Sequence, residues 1–318
     1  MIWLYILISV LFLIAILLFL GGYVIFLRIA PRRDKRGESF EEQFSEYRLS
    51  MATETRLRSD FEWFDEHRTR EICTTSRDGL RLMATVIEAE NARGVILLFH
   101  GYLSNARRDF CMHMKILHDA GYHLIVPDQR SHSRSEGKYI CFGTRESEDV
   151  TVWRETAAEL YGRDMPVALM GLSMGGATVL MASALIEKDD TAVRCVVADC
   201  PFSAPVDIVS HVMKNFNKIP PYPLVSFASF WCRYLACYSL NAPSSADKLA
   251  ESHLPALLFH GTADDYVPPH HSQEVVRRSP DRARLVLFEG AKHAESIYYD
   301  EKRYTDELLA FLEQHMKL

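Results

Sequence analysis

The stretch Gly171-Leu172-Ser173-Met174-Gly175 decides the fold of this chain, because it lies between an apolar run and a helix-forming run. Residues 166–170 are typical of a short buried strand, and residues 177–184 are typical of a helix. In such a strand-turn-helix setting, G-x-S-x-G forms a sharp turn, and its glycines let the strand and the helix approach closely. The sequence therefore predicts that the Ser173 hydroxyl projects above the end of a strand as a nucleophile.

Strand-like and helix-like stretches alternate on both sides of this motif. Residues 71–76 and 80–86 are predicted to form an antiparallel hairpin, since Asp78-Gly79 tolerates the positive φ angles of a type I′ turn. The later alternation indicates a mostly parallel sheet with helices on both faces, so the predicted fold class is α/β. The predicted strands are 95–99, 123–126, 167–170, 193–198, 256–259 and 284–288, and the predicted helices lie near 107–120, 146–161, 175–187, 272–278 and 304–315.

A serine hydroxyl becomes a good nucleophile when a base takes its proton and a third group orients that base. Asp264 follows the predicted strand 256–259, and His293 follows the predicted strand 284–288. The carboxyl ends of parallel strands meet at one edge of a sheet, so we expect both side chains to lie beside Ser173. The acid precedes the histidine along the chain, as it does in hydrolases with this turn.

Other residues compete for two of these roles. Asp265 lies in the same loop as Asp264, Asp199 ends another predicted strand, and Asp264 itself could instead serve as a turn or helix-capping carboxylate. His100 and His260 precede glycines at strand ends and are interpreted as structural hydrogen-bonding groups. The remaining histidines considered for the base, all assigned to solvated loops, surfaces or packing, are His113, His118, His123, His211, His270 and His271.

Acyl transfer also needs hydrogen-bond donors for the developing oxyanion. The backbone N–H of Met174 is one predicted donor, because it follows the nucleophile at the start of a helix. The second is the backbone N–H of Tyr102, in a loop whose direction Gly101 permits. This chemistry requires no metal ion and no organic cofactor.

The composition is that of a globular protein and excludes some functions. Of the 318 residues, 48% are hydrophobic and 25% are charged, and the net charge of −6 argues against general nucleic-acid binding. The seven cysteines include no C-x-x-C pair, so neither a zinc site nor a disulfide framework is indicated. Reduced thiols in a reducing compartment are the simplest interpretation.

Residues 1–27 contain no charged side chain and are predicted to form a transmembrane anchor. About 20 apolar residues cross the hydrocarbon core, and Trp3, Tyr5 and Tyr23 lie near the ends, where aromatic rings prefer the membrane interface. A cleaved signal peptide is the alternative. It is disfavoured because a basic n-region and an A-x-A-like site are missing and the apolar run is too long.

The orientation of this anchor is predicted from the charges that flank it. All the flanking basic residues follow the apolar segment, and such residues favour the cytoplasmic side. The chain is therefore expected in the cell membrane as a single-pass protein with its catalytic domain in the cytoplasm. These basic residues, which would lie close to anionic headgroups, are Arg28, Arg32, Arg33, Lys35 and Arg36.

The predicted domains are the anchor at 1–27, a charged helical connector at 28–70 and a domain at 71–318. The connector is amphipathic and could lie on the membrane or pack against the domain, and its spaced apolar residues are Phe40, Phe44, Tyr47, Leu49, Phe61, Trp63 and Phe64. Within the domain, residues 201–250 are rich in proline and aromatic residues. They are either a cap over the site or a core helix with ordinary packing.

Several motifs follow one another in order along residues 71–318, and together they resemble the α/β-hydrolase superfamily. Within it, the chain is similar to serine hydrolases related to bacterial membrane-anchored hydrolases, monoacylglycerol-lipase-like enzymes and the serine aminopeptidase group. Ser131 and Ser133 depart from the glycines usual in the D-x-R-G-H-G-x-S-x-G stretch, which puts the path of that loop in question. The motifs are Asp78-Gly79, His100-Gly101, residues 128–137, the serine turn at 171–175, residues 260–268 and residues 290–293.

The resemblance implies the same triad of Ser173, Asp264 and His293, and it implies a serine hydrolase that cleaves an ester-like bond through an acyl-enzyme. The expected partners are the membrane and a small-molecule or lipid acyl substrate, and a thioester or acylated peptide would suit the same groups. A peptidase or amidase of the same fold is one alternative. A non-enzymatic binding protein on a hydrolase scaffold is another.

Overall fold

The computed structural model describes residues 1–33, 39–44 and 51–317. Four residues of the sequence predictions, Lys35, Arg36, Tyr47 and Leu49, lie outside these ranges. The strands are β1 (Arg70–Thr75), β2 (Arg81–Ile87), β3 (Val95–Phe99), β4 (His123–Pro127), β5 (Val167–Leu172), β6 (Val193–Asp199), β7 (Ala256–Gly261) and β8 (Ala283–Phe288). The helices are α1 (Ile2–Ile29), α2 (Phe40–Phe44), α3 (Met51–His67), α4 (Ala106–Asp109), α5 (Cys111–Asp119), α6 (Glu146–Tyr161), α7 (Met174–Ala182), α8 (Pro205–Asn215), α9 (Leu224–Ala236), α10 (Ser245–Glu251), α11 (His270–Arg278), α12 (Ser296–Tyr299) and α13 (Glu301–His315).

The strands form one eight-stranded sheet in the order β1-β2-β4-β3-β5-β6-β7-β8. The first two strands are antiparallel to their neighbours, and β4, β3, β5, β6, β7 and β8 are parallel. The predicted α/β fold with an opening antiparallel hairpin is therefore confirmed. Several strands extend beyond their predicted carboxyl ends, since Leu172 pairs with Asp199 and Gly261 pairs with Phe288.

The turn of the opening hairpin differs from the predicted type I′. A type I′ turn needs a positive φ at both of its central residues. Gly79 has a φ of 85°, but Asp78 is not one of the described residues whose φ is positive. The Gly79 N–H donates to the Ser76 carbonyl at 2.9 Å, and the Ser76 N–H donates to the Leu80 carbonyl at 2.8 Å. This pattern is a type I turn followed by a left-handed glycine, which closes a longer hairpin loop than the two-residue turn does.

Four predicted helices have different bounds in the structure, and two of these, α11 and α13, only begin two or three residues earlier than predicted. The predicted helix near 107–120 is divided at Phe110 into α4 and α5. The helix that follows Ser173 ends at Ala182 rather than near 187. There the Ser183 hydroxyl donates to the Leu180 carbonyl at 2.7 Å, a local bond that competes with the next helical turn.

The apolar core has three parts. One cluster lies on the face of the sheet covered by α3, α5 and α13, and a second lies on the opposite face under α6, α7, α10 and α11. The third joins the end of α1, the helices α8 and α9, and the first turns of α7. Helix α3 thus packs against the sheet through buried residues such as Leu57 and Phe61.

Helix α1 is the one helix in the described parts of the chain that is long and apolar enough to cross a membrane. Residues 2–17 are exposed along their whole length, whereas Gly22, Ile25 and Phe26 are buried. The buried residues face α9 and the third core cluster. The last turns of this helix are therefore part of the folded domain.

Candidate active site

Ser173 lies in the tight turn between β5 and α7, as the sequence predicts. Its φ of 55° and ψ of −114° are unusual for a residue other than glycine and cost about 1–3 kcal/mol. A Cβ on Gly175 would lie 1.8 Å from the Phe99 carbonyl oxygen, and one on Gly171 would lie 2.1 Å from the Gly175 carbonyl oxygen. The two glycines thus bring the start of α7 against the ends of β3 and β5, which fixes the position of Ser173.

The structure brings Ser173, His293 and Asp264 together. The Ser173 Oγ lies 3.0 Å from His293 Nε2, and His293 Nδ1 lies 2.7 Å from Asp264 Oδ2. A carboxylate accepts only, so Nδ1 carries the proton and Nε2 keeps a lone pair toward the Ser173 hydroxyl. This is the arrangement in which an imidazole can act as a base toward serine.

Asp264 is surrounded by hydrogen-bond donors. Its Oδ1 accepts the N–H groups of Tyr266 at 3.0 Å and Val267 at 2.8 Å, and His260 Nε2 lies 3.3 Å from Oδ2. Burial of this carboxyl opposes ionisation, but the hydrogen bonds from His260 and His293 outweigh it and hold the pKa of Asp264 well below its usual range. Asp264 is therefore an anion at any pH near neutrality.

The two alternative acids are placed differently. Asp265 is exposed. Its backbone carbonyl, rather than its side chain, makes its described hydrogen bond and lies 2.8 Å from His211 Nε2. Asp199 is buried at the end of β6, and burial raises its pKa to about 6. Its Oδ1 has no hydrogen-bond partner in the described part of the chain. Asp264 is the candidate that contacts His293.

The loop that holds the predicted oxyanion donors is next to Ser173. A Cβ on Gly101 would lie 3.5 Å from the Ser173 Cβ. No hydrogen bond within residues 1–33, 39–44 and 51–317 uses the backbone N–H of Tyr102 or of Met174. Both N–H groups therefore remain candidates for the predicted oxyanion donors.

Two side chains that the sequence prediction did not assign to the site hold this loop. Asp109 accepts the Gly101 N–H at 2.6 Å and the Ser104 hydroxyl at 2.6 Å. His132 Nε2 accepts the Leu103 N–H at 3.2 Å, and burial lowers the pKa of His132 to about 3, so it stays a neutral acceptor. His132 belongs to the D-x-R stretch, which is a usable signal. Asp109 lies in a helix-like run and offers no signal of its own.

Ser131 and Ser133 take a backbone conformation that favours glycine. Their φ angles are 64° and 42°, so both take the left-handed conformation despite carrying a side chain. The Ser131 hydroxyl also donates to the Tyr139 carbonyl at 2.8 Å. Serine is therefore compatible with the backbone conformation of this turn.

The donor atoms of Cys200, Asp264 and His293 lie within 4.8 Å of one another, which is close enough to raise the question of a metal ion. Burial raises the pKa of the Cys200 thiol well above its usual range, so the thiol keeps its proton. Metal ligation requires the thiolate. His293 Nδ1 and the Asp264 carboxylate are also bound to each other, so this group is poorly suited to a metal ion.

Comparison with known proteins agrees with this architecture. The family described as Serine aminopeptidase, S33, matches residues 90–229. The Bacillus subtilis protein YqkD is 22% identical over 80% of this chain and 82% of its own length. The human protein ABHD12B is 25% identical over 61% of this chain and 54% of its own length.

Solved structures show the same fold. The Pyrococcus furiosus esterase Pf2001 aligns with a TM-score of 0.65 at 18% identity, covering 91% of this chain and 98% of that one. The chain therefore has the α/β-hydrolase fold. The acylaminoacyl peptidase of Pyrococcus horikoshii aligns with a TM-score of 0.57 at 18% identity, covering 78% of this chain and 41% of that one. An esterase and a peptidase thus both occur among the structures similar to this chain.

Proposed function

We propose that the protein is a membrane-anchored serine hydrolase that cleaves a carboxylic ester through an acyl-enzyme on Ser173. The observation that carries this proposal is the continuous contact from Ser173 through His293 to Asp264, at 3.0 Å and 2.7 Å. Ser173 is at the turn that exposes a nucleophile, and His293 has the tautomer that a base requires.

In the proposed reaction, His293 Nε2 takes the Ser173 proton while Oγ bonds to the ester carbonyl carbon. The electron pair of the carbonyl moves to oxygen, where the N–H groups of Met174 and Tyr102 bind the oxyanion. Collapse of this intermediate breaks the bond to the alkoxy group, which leaves as an alcohol with the proton from His293. Water then repeats the sequence on the acyl-enzyme and releases the acid.

Asp264 supports each of these steps without taking a proton. Since its pKa is held well below the usual range, it remains negative beside the imidazolium that forms on His293. Such a buried, hydrogen-bonded carboxylate fixes the ring orientation and stabilises its transient charge.

A fluorophosphonate probe tests the nucleophile directly. The Ser173→Ala variant should lose labelling entirely, and His293→Ala should slow it by about a thousandfold or more. Ser203→Ala is a matched control. The Ser203 Oγ also lies 2.8 Å from a histidine, His271, but both side chains are buried and Ser203 is not in the turn between β5 and α7. This variant should keep the wild-type labelling rate. Labelling of Ser173→Ala at the wild-type rate would overturn the proposal.

An amide is the second candidate substrate, because a peptidase is among the structural neighbours. A panel of p-nitrophenyl esters and peptide arylamides separates the two activities. We expect ester turnover to exceed amide turnover across the panel. Release of arylamines without ester cleavage would identify a peptidase, and a folded protein inert to both substrates and to the probe would favour a binding protein.

We further propose that α1 spans the cell membrane and leaves the sheet domain in the cytoplasm. Its 28 residues and apolar composition support the span, and the basic residues that follow it support the orientation. Protease added to intact cells should leave the domain uncut, and protease added to inverted vesicles should cut it. Cleavage from outside intact cells would reverse the orientation.

A further inference from the structure

Helix α9 is attached to the anchor rather than only to the hydrolase domain. A Cβ on Gly22 would lie 2.3 Å from the Phe227 Cβ, so the two helices touch at their backbones. The Trp231 indole N–H donates to the Phe19 carbonyl at 3.1 Å, and the rings of these two residues lie 4.7 Å apart. The position of α1 in a membrane therefore fixes the position of α9.

The length of α1 limits where α9 can lie. The free part, residues 2–17, comprises 16 residues and at about 1.5 Å per residue extends about 24 Å. The hydrocarbon core is about 30 Å thick, and any tilt lengthens the path through it. The helix must therefore enter the core beyond residue 17, which carries Phe19 and Gly21 into the membrane. Their partners on α9 then lie at its surface.

The surface of this region has the chemistry of a membrane interface. Five large apolar or aromatic side chains on or between α8 and α9 are exposed, a set that we name the cap surface. Aromatic rings favour the interface, and such an exposed group needs a partner. The cap surface comprises Phe216, Ile219, Tyr222, Phe230 and Tyr234, with exposed fractions of 47%, 40%, 65%, 49% and 70%.

The charges around the cap surface also favour a membrane as its partner. Between Asp207 and Asp247 the sequence contains no acidic residue, although the whole chain has a net charge of −6. The cations in this interval are Lys214, Lys218 and Arg233, all exposed beside the cap surface. Basic residues next to exposed aromatic ones are the pattern of a segment that lies on anionic lipid.

We propose that the cap surface lies in the interface of the bilayer that α1 crosses, so that the substrate enters the site from the membrane. Phe216 contacts Tyr266 at 5.5 Å between ring centroids, and Tyr266 contacts His293 at 5.2 Å. Only one ring thus separates the cap surface from His293. The substrate class this favours is a lipid ester whose acyl chain remains in the bilayer. This inference rests on the proposed anchor and on the proposed hydrolase activity.

The test uses the full-length protein in vesicles of phosphatidylcholine and phosphatidylglycerol that contain a phospholipid with a diazirine on its acyl chain. After illumination, mass spectrometry should find lipid adducts on α9 as well as on α1, and none on the exposed loop near Leu185. Adducts on α1 alone, with none on α9, would overturn the proposal. Photolabelling does not need catalysis, so the Ser173→Ala variant should show lipid adducts at the same residues as the wild type. The test of the cap surface is therefore independent of the proposed hydrolase activity.

A charge-reversal pair gives a second readout. Lys214→Glu with Lys218→Glu should lower turnover of a vesicle-embedded ester about tenfold in the mixed vesicles, with little change in pure phosphatidylcholine. The control pair Arg163→Glu with Lys188→Glu makes the same charge change at exposed positions in the loops that enter β5 and β6, at the opposite edge of the sheet. All variants should hydrolyse a short soluble ester in detergent at the wild-type rate. Equal losses in both pairs would contradict an interface at the cap surface.

Discussion

The carboxyl ends of β6 and β7 each place a buried carboxylate at the same edge of the sheet, but the pKa values of these two carboxylates are shifted in opposite directions. Asp264, after β7, contacts two backbone N–H groups and two histidines, and its pKa lies well below the usual range. Asp199, at the end of β6, has one oxygen without a hydrogen-bond partner among the described residues, and burial raises its pKa to about 6. The number of hydrogen-bond donors around a carboxylate, more than its position along the sheet, decides whether it stays ionised and can orient a histidine base.

Replacing Asp264 should have the largest effect. Asp264→Asn removes the negative charge and favours the wrong tautomer of His293, so kcat should fall by about ten-thousandfold. Steady-state hydrolysis of a soluble ester measures this change. Asp265→Asn, an exposed neighbour in the same loop, should remain near the wild-type rate. The reverse ranking of these two variants would move the acid to Asp265.

Replacing His260 should have a smaller effect, because this residue acts on Asp264 and not on substrate. His260 is fully buried, with Nδ1 2.7 Å from the Ser272 hydroxyl and Nε2 2.7 Å from the Val267 carbonyl. His260→Gln should lower kcat about tenfold and leave KM unchanged, since one of several donors to Asp264 is lost. A change in KM with kcat intact would indicate a role in substrate binding instead.

Replacing Asp199 should change stability rather than rate. Its folded-state pKa of about 6 exceeds the usual 3.8, so the native state retains a proton that the unfolded chain releases. The free energy of unfolding is therefore highest below the usual pKa and falls as the pH rises toward about 6, by about 3 kcal/mol or less. In the Asp199→Asn variant, this decrease in the free energy of unfolding with rising pH should be absent.

Denaturant titrations at several pH values, in one detergent, measure that difference. Ester turnover by Asp199→Asn at neutral pH should stay within a few fold of the wild type. A loss comparable to that of Asp264→Asn would mean that both strand ends contribute to the chemistry, and the contrast between them would fail.

The sequence was sufficient for the parts of the site that follow from topology. Ser173, Asp264 and His293 each follow a parallel strand, and such strands end at one edge, so their proximity was predictable although their roles remain proposals. The turn at Gly79 was assigned to the wrong type because the dipeptide suits two turns, which differ in hydrogen-bond pattern. That choice depends on strand register, which local composition does not encode.

Contacts made by single side chains and by helix faces were the least predictable. Asp109 reaches the Gly101 N–H from the neighbouring helix, and nothing in the residues around Asp109 marks it as a loop-holding group. Likewise, the packing of Gly22 against Phe227 depends on which face of α1 meets which face of α9. An all-apolar helix has no polar face that would indicate its orientation.

The Tyr102 side chain has a consequence for exchanging parts between proteins. Its hydroxyl donates to the Ile29 carbonyl at 2.8 Å, in the last turn of α1, and its backbone N–H is one of the two predicted oxyanion donors. A chimera in which an unrelated helix replaces α1 would lose this hydrogen bond together with the packing of Gly22 against Phe227. Grafting the sheet domain onto another protein therefore requires that the last turns of α1 are transferred with it.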